Sequence, residues 1–148
     1  MTFKEKILGD LKAAMQARDV LKVATLRLMN GEMKNAEIGL MKKDEGLSDD
    51  EVITVLQRMV KQRNDAAQQF EAGGRADLVE KERAEIVIIQ AYLPAQISDE
   101  ELSAIVKETA AALGETDFGK VMGAVMAKVK GKADGARVRL MVESTLKE

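Results

Sequence analysis

The chain has 148 residues, a 46% apolar fraction, and 23 lysines and arginines against 25 aspartates and glutamates, enough for one hydrophobic core or two small ones. It contains no histidine and no cysteine, which removes the usual zinc ligands, a thiol nucleophile and the commonest general base at neutral pH. One tyrosine and three phenylalanines argue against a base-stacking platform for single-stranded RNA, so any nucleic acid would be held by its phosphates and shape.

Apolar residues recur at three- and four-residue spacing along nearly the whole chain and no segment alternates, which predicts an all-α protein. Thr2 with Glu5 forms a capping box for a first helix with a buried stripe at Ile7, Leu8, Leu11, Ala14 and Met15, ending at Arg18 and Asp19. Asp19 caps a second helix carrying Val23, Leu26, Met29, Met33 and, at its end, Ile38, before the polar turn from Lys42 to Leu47. Ser48 with Glu51 repeats the box and starts a long helix through Val52, Val55, Leu56, Met59, Val60 and Phe70, stopped by Gly73 and Gly74. A fourth helix runs from Ala76 to Tyr92 on Leu78, Val79, Ile86, Ile89 and Leu93, and Pro94 ends it.

The four helices make an N-terminal domain over 1–94, followed by a C-terminal three-helix module over 95–148. Ser98 with Glu101 is a third capping box, for a helix through Leu102, Ile105, Val106 and Leu113 that Gly114 ends. Thr116 or Asp117 caps the next, through Val121, Met122, Val125, Met126 and Val129, which Gly131 closes. Asp134 caps the last, through Val138, Leu140, Met141 and Leu146. No apolar run approaches the roughly 20 residues a membrane span needs, and no cationic and apolar leader is visible. With the absence of cysteine, these features lead to the expectation of a cytoplasmic protein with no membrane, metal or cofactor requirement.

Positive charge is concentrated near the end of this acidic chain. Lys120, Lys128, Lys130, Lys132, Arg137 and Arg139 accompany a single acid, Asp134, between Gly119 and Arg139, whereas Asp99, Glu100, Glu101, Glu108, Glu115 and Asp117 lie just upstream. Such segregation suits a polyanion, although lysines at a helix C-terminus also complement its dipole without any ligand. Gly119, Gly123, Gly131 and Gly135 let the backbone turn or approach a partner closely. Gly119 and Gly123, four residues apart, fit either a tight helix crossing or a ligand's backbone. In the first domain Arg27, Lys34, Arg58, Lys61, Arg63, Asn64 and Arg75 are candidates to meet a partner, though exposed helix pairing accounts for most of them.

Two short motifs fail on their companions. Gly114 to Val121 approximates a phosphate-binding loop but lacks the final hydroxyl that holds magnesium and the strand that feeds such a loop. Asp117, Phe118 and Gly119 spell a kinase triplet without the rest of a kinase. Ser48 and Ser98 start helices and have no neighbouring base of the usual kind, so no catalytic constellation emerges.

Three runs carry a family resemblance: Ala-Tyr-Leu-Pro-Ala-Gln (91–96), Gly-Lys-Val-Met-Gly-Ala-Val-Met (119–126) and Lys-Val-Lys-Gly-Lys-Ala-Asp-Gly (128–135). With Thr-Leu-Arg-Leu-Met-Asn (25–30) and Lys-Gln-Arg-Asn (61–64), the chain resembles the GatB/YqeY family over essentially its whole length. Its last third is similar to the tail of GatB, the subunit of the glutamyl/aspartyl-tRNA amidotransferase that positions misacylated tRNA. The resemblance implies an all-helical tRNA-binding accessory protein without the catalytic cradle. It carries Lys120, Gly123, Lys128, Lys130, Gly131, Lys132 and Gly135 over as nucleic-acid contacts; Arg137 and Arg139 are added from charge. The implied partner is tRNA or a complex that handles tRNA. A component of a carbon-nitrogen ligase with glutamine as amido donor, needing a separate catalytic subunit, and a protein-protein interaction module are the competing readings.

Overall fold

The computed structural model describes residues 2–114 and 117–147, which contain seven α-helices and no strand. They fall into two compact units, Met1–Leu93 and Pro94–Glu148. The first holds α1 (Phe3–Ala17), α2 (Val20–Gly39), α3 (Asp49–Ala72) and α4 (Ala76–Gln90); the second holds α5 (Asp99–Leu113), α6 (Phe118–Lys128) and α7 (Gly135–Leu146).

Local chemistry sets most of the boundaries. Thr2 and Ser48 accept from the N–H groups of Glu5 and Glu51, and both glutamates return the bond, satisfying two otherwise orphaned donors at each helix start. Ser98 supplies one arm of its expected box, accepting from the Glu101 N–H at 3.1 Å. Asp19, Asp117 and Asp134 cap α2, α6 and α7; Thr116, the other candidate for α6, lies outside the described residues. α1 stops where Arg18 turns left-handed at φ 58°. α4 ends two residues before Tyr92, which closes a turn onto the Ile89 carbonyl at 3.0 Å.

The first unit packs Ile7, Leu26, Met29, Leu56, Met59 and Ile89 into a core with no solvent contact for most of them, each burial being worth roughly 1.5–3 kcal/mol. The buried faces are narrower than periodicity predicts. Leu8 and Met15 of α1, and Ile38 of α2, are exposed, because α1 spends only one sector of its circumference on the core. In the second unit the core is mostly valine: Val106, Val121, Val125, Val129, Val138 and Val142 with Leu102 and Ala133. Val142 takes the inward position on α7 while Leu140 faces solvent. No helix among the described residues is long and apolar enough to cross a membrane.

Candidate nucleic-acid interface

The connection between α6 and α7 is folded tightly, and residues ahead of α5 hold it in place. Gly131 adopts φ 79°, a left-handed conformation that a side chain would strain, and it is buried. Its carbonyl accepts from the Gln96 Nε2 at 3.0 Å. The next carbonyl, of Lys132, accepts from the Ile97 N–H at 3.0 Å, and the Lys132 N–H donates to Val129 at 2.8 Å. With Val129 and Ala133 wholly buried, the loop backbone is pinned on both sides of Lys132 while the Lys132 side chain is exposed. Gln96 and Ile97 are the positioning residues that the sequence did not single out for this role. Gln96 closes the first of the resembling runs, which was the available signal.

The cations of the cluster have different fates. Lys120 and Lys128, on the first and last turns of α6, are exposed and about 12 Å apart along the axis. Lys128 Nζ also donates to Thr109 Oγ1 of α5 at 3.0 Å. Lys120 and Lys130 have interactions of their own. Arg137 is built into the fold: its NH2 group donates to the Ile97 carbonyl at 2.8 Å and to Asp99 Oδ1 at 2.9 Å. Arg139 follows two residues later, about 200° further around the helix, and is exposed. Arg137 and Arg139 therefore occupy different faces of α7.

The glycines divide in the same way. Gly131 is required by its backbone conformation, whereas a Cβ at Gly123 or Gly135 would meet nothing within 4 Å. At Gly119 the added atom would lie 3.3 Å from the Asp117 carboxylate that caps α6. Gly123 is exposed, so the tight helix crossing is not its role here. It leaves a stretch of bare backbone on the same surface as Gly119. Among the described residues no cluster of three or more acidic side chains is arranged to hold a metal ion.

Seven helices among the described residues, in two units, with a glycine- and lysine-rich turn pinned by the segment ahead of α5, define a class of small helical proteins. The Yqey-like protein model matches residues 4–146, and the chain belongs to that family.

Three curated relatives carry the name Altered inheritance of mitochondria protein 41, mitochondrial. The protein from Kluyveromyces lactis is 33% identical over 148 residues, covering 94% of this chain and 79% of the relative. That from Pyrenophora tritici-repentis is 30% identical over 134 residues, covering 86% and 71%. That from Saccharomyces cerevisiae is 40% identical over 87 residues, covering 57% of this chain and 45% of the relative. These names correct the cytoplasmic expectation, since the relatives are called mitochondrial. The expectation rested on missing cysteine and missing apolar spans, features that do not separate one reducing compartment from another.

Proposed function

We propose that the chain is a tRNA-binding accessory protein that grips phosphates through the α6–α7 surface and has no catalytic centre of its own. The observation that carries this reading is the setting of Lys132: its backbone is bonded on both sides while its ammonium group faces solvent. A lysine whose backbone is already fixed gives up only side-chain freedom on meeting a phosphate. Lys128 and Arg139 are exposed on the helices that flank it, and Gly123 and Gly135 leave room for a close backbone approach. Lys120 and Lys130 complete the proposed surface; Gly131, buried, shapes its loop, and Arg137 serves it from behind by tying the start of α7 to the Ile97 carbonyl.

The test is a tRNA titration of the full chain across a salt series. Binding should weaken steeply as salt rises, and Lys132→Glu with Arg139→Glu should raise the dissociation constant at least about tenfold while thermal unfolding is unchanged. Unchanged affinity in that double variant would remove the site. A role beside a separate ligase subunit would show instead as glutamine-dependent amidation of tRNA that stops when this chain is omitted.

A further inference from the structure

Among the described residues the buried polar ones are Thr25, Glu37, Glu85 and Thr109. Thr25 donates to the Leu21 carbonyl at 2.9 Å, Glu85 accepts from Arg63 at 2.9 Å, and Thr109 accepts from Lys128 at 3.0 Å. Glu37, near the end of α2, differs from all three. Its nearest cation is Lys4 of α1, 3.6 Å from Oε1, which is beyond hydrogen-bond reach. The Glu37 side chain is 6% exposed, against 44% for Lys4. Burying a carboxylate without a hydrogen-bond donor costs free energy, and folded proteins seldom leave one in that state.

The Glu37 oxygens are not sealed in, because every wholly buried side-chain nitrogen or oxygen among the described residues has a partner. Glu37 lines a cavity of about 280 Å³ inside the first unit, bounded by the starts of α1 and α3 and by the loop between α2 and α3. Met33, one turn earlier on the same side of α2, and Val52 of α3 give it apolar walls that belong to the core. The charged lining is rich in acid: Glu37, Asp44, Glu45 and Asp49 against Lys4 and Lys43. Two helix starts would ordinarily favour an anion. Here Thr2 and Ser48 already occupy the N–H groups of Glu5 and Glu51, and those glutamates bring negative charge to both ends. Lys42, from the same loop, is bonded to Glu51 at 2.7 Å.

We propose that this cavity binds a small organic cation, a primary ammonium group on a short aliphatic stem, with the ammonium on Glu37 and the stem along Met33 and Val52. An ammonium brings three donors to a carboxylate with none at bonding distance, and the bond is of the stronger, charge-assisted kind. The volume lies just under the roughly 300 Å³ at which small-molecule sites begin, too little for a helix about 10 Å across. A metal ion needs several oxygen ligands, and no three acidic side chains among the described residues converge to supply them. Lys4 is the internal competitor: it is the cation closest to Glu37, and its half-exposed side chain can turn outward when the ligand enters. The inference is independent of the tRNA surface on α6 and α7.

The test titrates the full chain with n-pentylamine, 1-pentanol and pentanoate, probes of equal length and different charge, and follows amide chemical shifts. Pentylamine should bind with a dissociation constant on the order of 1 mM and shift the amides of Met33, Glu37, Gly46 and Val52. The alcohol and the acid should bind at least about tenfold more weakly. Glu37→Gln keeps the shape, removes the charge, and should weaken pentylamine at least about tenfold. Lys4→Met removes the competitor and should tighten it, and the sign of that change decides alone if Glu37→Gln does not fold. Absence of saturable shifts at about 10 mM pentylamine overturns the proposal and leaves water as the occupant. Pentanol binding as well as pentylamine, or full pentylamine binding in Glu37→Gln, overturns it in favour of an apolar cavity alone. Preference for pentanoate, or weaker pentylamine binding in Lys4→Met, overturns it by making the site one for anions or one that depends on the ion pair.

Discussion

Arg63 Nε of α3 donates to Glu85 Oε2 of α4 at 2.9 Å, with the two side chains only 14% and 9% exposed. Arg63 also donates to the Met59 carbonyl at 3.3 Å, so the guanidinium is held by both its own helix and its neighbour. Removing one member of such a pair strands the other charge. Glu85→Ala should destabilise the protein by about 3 kcal/mol in urea unfolding, whereas Arg63→Met combined with Glu85→Leu should recover most of that loss. Equal losses in the single and double variants would mean that packing volume, not charge, dominates the site.

Tyr92 and Asp10 join the end of α4 to α1 across 82 positions of sequence: the phenol donates to Asp10 Oδ2, and Lys6 lies 5.4 Å from the ring centre. Burial first, and then the Asp10 carboxylate, push the Tyr92 hydroxyl well above the usual phenol range. The folded state therefore binds the phenol proton more tightly than the unfolded state. Its contribution is complete below the ordinary value of 10.0 and is lost as pH climbs above it. Tyr92→Phe should cost about 1.5–3 kcal/mol, as expected for a hydrogen bond to a charged acceptor, and should flatten the alkaline fall in stability. An alkaline limb identical in wild type and variant would assign the fall to other groups.

Glu51 titrates in the opposite sense. The hydrogen bond from Lys42, followed by the Ser48 backbone N–H, holds its carboxyl at about 2, below the ordinary 4.5. Lys42 Nζ sits 2.7 Å from Glu51 Oε1, and this contact also raises the lysine. A depressed carboxyl stabilises the fold above its unfolded value and loses that contribution as pH falls through the folded one. Stability should therefore drop between about pH 4.5 and 2, and Glu51→Gln should blunt the drop while weakening the start of α3. Acid unfolding followed by circular dichroism reads both, and an unaltered acid limb in the variant would contradict the assignment.

What was legible in the chain was local. Thr2, Ser48, Asp19, Asp117 and Asp134 act on N–H groups three residues away, so their effect depends on sequence spacing alone. Arg63 with Glu85, and Tyr92 with Asp10, depend on how helices rotate against each other, which no spacing encodes. Periodicity located the apolar side of α1 but not its width, hence the exposed Leu8 and Met15. In the basic cluster, charge density placed the region, yet Arg137 and Arg139 looked equivalent until the Ile97 carbonyl and Asp99 were seen to hold one of them.

Arg137→Ala should consequently behave as a folding variant. It loses bonds to Ile97 and Asp99, of which the Asp99 carboxylate is largely exposed at 79% and contributes little. The buried-side bond to the carbonyl dominates, so the cost should be about 1 kcal/mol. Arg139→Ala, exposed on the other face, should change stability by less than about 0.5 kcal/mol. A two-variant thermal unfolding comparison decides this, and equal costs would contradict the division of roles.

Gly123 separates folding from binding most sharply. It lies inside α6, is exposed, and has no atom within 4 Å of where a Cβ would sit. A glycine inside a helix costs about 0.5–1 kcal/mol relative to alanine, so Gly123→Ala should stabilise the protein by that amount. If bare backbone at this position receives a phosphate, the same methyl group should lower tRNA affinity in the salt-resolved titration. A rise in stability with a fall in affinity supports a contact role for the glycine, because the loss of affinity cannot then come from a weakened fold. A rise in stability with affinity unchanged would strike Gly123 from the proposed surface while leaving Lys132 and Arg139 to be judged by their own variants.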